Sequence, residues 1–89
     1  MSYDYLDLET LGERLAKVRK SYGESIDLPN LGRGAFAALL GVPIIAYEAC
    51  ERGEQEPGVE LLIALRQRTR ISLDWFLDTN PSEANPAHG

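Results

Sequence analysis

Few residues in this chain could perform covalent or metal chemistry. There is one histidine, His88, and one cysteine, Cys50. A catalytic nucleophile needs a base and a group to orient that base, and His88 stands in the tail with no second ligand or base nearby. Metal ligation needs more Cys or His than one of each, so neither a metal nor a cofactor is expected. Gly32-Arg33-Gly34 is too short for a phosphate-cradling loop and does not follow a strand. The residues therefore point away from an enzyme. Cys50, with apolar neighbours on its helix, reads as a small buried filler whose thiol pKa is raised.

Binding chemistry is better represented. Arg14, Lys17, Lys20 and Arg33 are, with Arg19, the basic residues of positions 14–33, and Arg52 follows alone among Glu48, Glu51, Glu54, Glu56 and Glu60. Phosphate contacts come from Lys and Arg, so the first group is either a strip facing a polyanion or a solubilising face. The net charge of −5 is the wrong sign for a protein that simply coats nucleic acid. Any basic footprint must be local. At 89 residues the chain is one domain with a modest core, whose marginal stability a second copy would help. No apolar run is long enough for a membrane span. The acidic start, Met1 to Asp7, does not read as a signal peptide, and a single cysteine fits a reducing cytoplasm.

The elements that would carry these residues are all helical. Thr10-Leu-Gly-Glu13 reads as a capping box. Leu11, Leu15 and Val18 then recur at helical spacing, and Gly23 is expected to end the first helix as a left-handed cap. Residues 24–32 hold Pro, Asn and Gly and form a loop. A short second helix spans Arg33 to Leu40, and Gly41 supplies a tight corner. Pro43 opens a third helix that runs to Cys50 and ends at Gly53. Pro57 opens a fourth, with Val59, Leu61, Leu62 and Leu65 as its apolar residues. Ser72 caps a last turn, Leu73 to Leu77, that brings Trp75 and Phe76 to the core. This divides the chain into an arm (1–9), an all-α domain (10–79) and a disordered tail (80–89). Tyr3-Asp4-Tyr5 is the one strand-like stretch, and it is too short to count.

Two short helices joined by Leu39-Leu40-Gly41-Val42 are a helix-turn-helix arrangement. Leu11-Gly-Glu-Arg-Leu-Ala-Lys-Val-Arg-Lys20, Phe36-Ala-Ala-Leu-Leu-Gly-Val42, Tyr47-Glu-Ala-Cys-Glu-Arg-Gly53 and Ser72-Leu-Asp-Trp-Phe-Leu77 together resemble the Cro/cI (xenobiotic-response-element) repressor family. That resemblance implies a five-helix lambda-repressor-like DNA-binding domain whose third helix enters the major groove. Carried over by position, the base readers are Ile44, Ile45, Ala46, Glu48 and Ala49. Arg33 stands where the family usually has a glutamine that touches the DNA backbone. Arg19 and Glu51 match a structural ion pair tying helix three to helix one. Arg66 and Arg70 stand where the family commonly has a small core residue and a helix-ending glycine.

Two expectations of function follow. The first is a transcriptional regulator that binds double-stranded DNA as a homodimer, with phosphate contacts from Arg14, Lys17, Lys20, Arg33 and Arg52. The other keeps the fold but uses the outward face of helix three for a protein partner. It is prompted by Ile44 and Ile45, flanked by acids where hydrogen-bond donors would serve base readout.

Overall fold

In the computed structural model, residues 7–78 are described, and they form five helices: α1 (Leu8–Ser25), α2 (Arg33–Leu40), α3 (Ile44–Glu51), α4 (Val59–Thr69) and α5 (Leu73–Phe76). The fold is all-α, with no strand among these residues. Residues 1–6, with Tyr3-Asp4-Tyr5, and residues 79–89, with His88, lie outside the described residues.

Helix α1 starts earlier than its capping box implied. Its N-cap is Asp7, whose carboxylate accepts the Thr10 amide at 2.7 Å. Those hydrogen bonds hold the Asp7 pKa below its usual value. Leu8 and Glu9, read from sequence as part of an arm, are thus the first turn of the helix. An aspartate in this position satisfies a first-turn amide as well as the Thr10 hydroxyl would, and the spacing alone did not choose between them.

Gly23 also behaves differently from expectation. It is buried inside α1, which continues to Ser25, and the left-handed backbone falls instead on Asp27, at φ 67°. A Cβ on Gly23 would lie 2.5 Å from the Leu28 carbonyl oxygen and 2.9 Å from the Leu31 Cβ. Glycine is there to let the following loop fold back against the helix. Helix α4 begins at Val59, with Gly58 rather than Pro57 at its boundary.

Leu11, Leu15 and Val18 of α1 face Phe36 and Leu40 of α2, Tyr47 and Cys50 of α3, and Leu61 and Leu65 of α4 in one core. Burial raises the Cys50 thiol pKa. Phe36 stands edge-on to Tyr47, with centroids 5.6 Å apart, and this pair joins α2 to α3. Ile71, Trp75 and Phe76 close the end of the bundle, with the Ser72 hydroxyl accepting the Trp75 amide. Val59 is the exception among the apolar residues expected of α4: it is 70% exposed.

Helix α4 ends on Arg70, which adopts φ 63°. A left-handed non-glycine residue costs about 1–2 kcal/mol, while glycine returns about 0.4–1 kcal/mol of that to the unfolded chain. Arg70→Gly is therefore expected to raise the melting temperature slightly, by about 0.5 kcal/mol of added stability. Thermal unfolding followed by circular dichroism checks this, and a lowered midpoint would contradict it.

Candidate nucleic-acid interface

The α2–α3 pair is built on a turn that few residues other than glycine could make. Gly41 takes φ 76° and ψ 30°, and the amides of Gly41 and Val42 donate to the Ala38 and Ala37 carbonyls. Pro43 follows at φ −62°, and the two helix axes diverge by 120° across the break. This is the geometry of a helix-turn-helix. Close packing in the pair comes from Gly34, where a Cβ would sit 2.9 Å from the Ile44 Cδ1.

A buried carboxylate fixes the pair against α1. The Glu51 side chain is fully removed from solvent. Its Oε2 accepts from Arg19 Nε at 2.8 Å and from the Tyr47 hydroxyl, and its Oε1 accepts from Arg19 Nη2 at 3.1 Å and from Arg33 Nε at 2.9 Å. Arg19 Nη1 donates further to the Leu31 carbonyl at 2.9 Å. Burial alone would raise the Glu51 pKa, but hydrogen bonds from Arg19 and Tyr47 and the charges of Arg19 and Arg33 outweigh it, and the carboxyl sits below its usual value. The same contact raises the Arg19 pKa, and burial followed by Glu51 pushes the Tyr47 phenol up. One group thus joins α1, α2 and α3 and sets the angle at which α3 is presented.

Helix α3 approaches α1 closely at Gly12. A Cβ there would lie 2.4 Å from the Glu51 carbonyl oxygen and 2.8 Å from that of Cys50. Neither this role nor the Tyr47 hydroxyl bond was foreseen from sequence. From sequence Gly12 is only the third residue of the Thr10–Glu13 capping box, and the residues it touches lie far away along the chain.

The sequence-derived readers lie together on α3. Ile45 is 77% exposed and Ile44 is 45% exposed, the latter leaning on Gly34 of α2. Ala46, Glu48 and Ala49 are half-buried. Arg52, just past the helix, is exposed and paired with Glu54 at 3.2 Å, which raises its pKa. Arg33 opens α2, with its Nε on Glu51 and much of its side chain still open to solvent. The amides at the starts of α2 and α3 receive no side-chain cap, because Gly32 and Pro43 have none to offer.

The α1 residues separate. Lys17 and Lys20 are exposed. Arg14 is not directed outward: its Nη1 donates to the carbonyls of Trp75, Phe76 and Asp78 at 3.3, 3.0 and 2.6 Å, and its guanidinium lies 5.8 Å from the Trp75 ring centroid. It binds carbonyls at and just past the end of α5, where the Trp75 carbonyl also accepts the Asp78 amide. No local pattern signals such a contact, since the partners lie more than sixty positions away.

Among the described residues no cluster of His, Cys, Asp and Glu could hold a metal ion, and no single helix is long and apolar enough to cross a membrane. No model of a known protein family matches the chain, and no solved structure does. The chain is 29% identical over 83 residues to repressor protein C2 of Salmonella phage P22. That match takes in 93% of this chain but 35% of the phage protein, so the chain spans about a third of its relative's length. The likeness is to a phage repressor, at a distance, and it accompanies an all-helical fold with a helix-turn-helix pair.

Proposed function

We propose that this chain is a DNA-binding transcriptional regulator of the Cro/cI type that acts as a homodimer, without enzymatic activity, in the cytoplasm. The observation that carries the reading is the α2–α3 pair, held at 120° and locked to α1 through Glu51, in a chain similar to a phage repressor. In this reading α3 enters the major groove. Ile44 and Ile45 meet thymine methyl groups, Ala46 and Ala49 allow close approach, and Glu48 accepts from a cytosine amine. Phosphates are met by Arg33, Arg52, Lys17 and Lys20, and by the uncapped amides at the start of α2. Arg14 instead supports the end of α5, a change from the phosphate role its place in the sequence suggested.

Few cations converge, so binding is weak and strongly salt-dependent. Fluorescence anisotropy of the full chain with labelled duplex DNA tests this. Lys17→Glu combined with Lys20→Glu is expected to weaken binding about tenfold or more at low salt, and to lower the salt slope by about two. Absence of binding by the unaltered chain at low salt, across random and promoter sequences, would overturn the reading.

Ile45, 77% exposed on a helix without strong donors, favours a second reading in which α3 docks a protein partner. Ile45→Arg separates the two. It would abolish partner capture in the second case. In the first it adds a positive charge facing DNA, so affinity for non-specific duplex is expected to rise.

A further inference from the structure

Helix α4 presents a face that neither the core nor the proposed DNA surface uses. Val59, Ile63 and Arg66 fall on one side of it at helical spacing, and Arg70 follows just past its end. Val59 is 70% exposed and Ile63 49%. The face is also polarised. Glu56 and Glu60 mark one end and Arg66, Arg68 and Arg70 the other, and none of these five belongs to an ion pair among the described residues. Acids near a helix start and bases near its end also suit the helix dipole. The dipole does not account for two exposed branched aliphatic residues lying between them.

We propose that this face is the contact between two copies of the chain, with their α4 helices packed antiparallel about a two-fold axis near Ile63. A two-fold contact must be self-complementary, and an acid-to-base gradient along one helix has that property only when the second helix runs the opposite way. Glu60 precedes Ile63 by as many positions as Arg66 follows it. Each Glu60 therefore lies level with Arg66 of the partner subunit, with the Ile63 side chains meeting at the centre. The groove between α4 and α5, lined by Ile63, Arg66, Arg70 and Leu73, continues the surface beyond the helix. One helix face is small for an interface, so the dimer is weak and exchanges readily. The inference rests on the homodimer part of the proposed function and not on its DNA part.

Sedimentation equilibrium of the full chain without DNA, loaded from about 10 μM to about 1 mM, tests it over the range a small interface sets. The unaltered chain is expected to shift from monomer to dimer. Ile63→Asp and, independently, Val59→Asp are expected to weaken association at least about tenfold with helical content unchanged, because both sites are exposed. Glu60→Arg alone should weaken it about three- to tenfold through its two symmetric pairs, and Glu60→Arg with Arg66→Glu should restore it to within about threefold. A strictly monomeric chain overturns both this interface and the homodimer reading. A dimer indifferent to Ile63→Asp and Val59→Asp but abolished by Ile45→Arg overturns this interface alone, as does a charge swap that fails to restore association. The DNA reading stands or falls separately, by anisotropy.

Discussion

Replacing Glu51 with alanine is expected to remove about 3–5 kcal/mol of stability, the usual result of deleting one partner from a buried ion pair. Arg19 would remain mostly buried without its carboxylate, and Tyr47 and Arg33 would each lose an acceptor. A domain of this size holds only about 5 kcal/mol or a little more in total, so the variant should be largely unfolded at physiological temperature. Urea unfolding followed through Trp75 fluorescence measures this. A loss below about 1 kcal/mol would mean that the network is replaceable, as some buried ion pairs are.

The same group sets an acid limit. The Glu51 carboxyl titrates below its usual value of 4.5, so its contribution is fully present above that pH. It is lost as pH falls through the lower, folded-state value, because the unfolded chain then binds the proton more readily. The unaltered protein should therefore lose stability steeply below about pH 4.5, and the slope should be shallower in Glu51→Gln.

Gly12→Ala is expected to destabilise the fold by about 1–3 kcal/mol or more, although helix propensity alone predicts a gain of about 1 kcal/mol for an interior glycine. The two effects have opposite sign, which makes the experiment decisive. The added Cβ would stand 2.4 Å from the Glu51 carbonyl oxygen, with backbone rather than a flexible side chain in its way. Helices α1 and α3 would have to separate, moving Glu51 relative to Arg19. Stability equal to or above that of the unaltered chain would show that the close approach of these helices is not needed.

What the sequence made legible was periodicity and punctuation. Apolar spacing located Leu11, Leu15 and Val18 in the core, the apolar run of α4 added Leu61 and Leu65, and Gly41 with Pro43 located the helix corner. Where two local signals competed, the boundary moved: Asp7 displaced Thr10 as the cap, and Gly58 stands where Pro57 was expected. Glycine was the most misleading residue, because one type serves two purposes. At Gly41 it provides a positive φ, whereas at Gly12 and Gly23 it provides room for neighbouring backbone. Only the tertiary arrangement distinguishes these. Long-range polar contacts were legible where the family resemblance pointed to them, as with Arg19 and Glu51. Arg14 on the α5 carbonyls and Arg33 on Glu51 had no such guide.

The outward face of α3 is the feature on which the proposed function turns. The helix stands at 120° to α2 in a helix-turn-helix arrangement, while the side chains of that face are aliphatic and acidic. The most direct measurement is backbone-amide NMR of the chain titrated with a duplex of about two helical turns at low salt. The largest shifts are expected at residues 33–35 and 44–49, with smaller ones at Lys17, Lys20 and Arg52. Spectra unchanged by DNA, or shifts confined to α4 and α5, would contradict it.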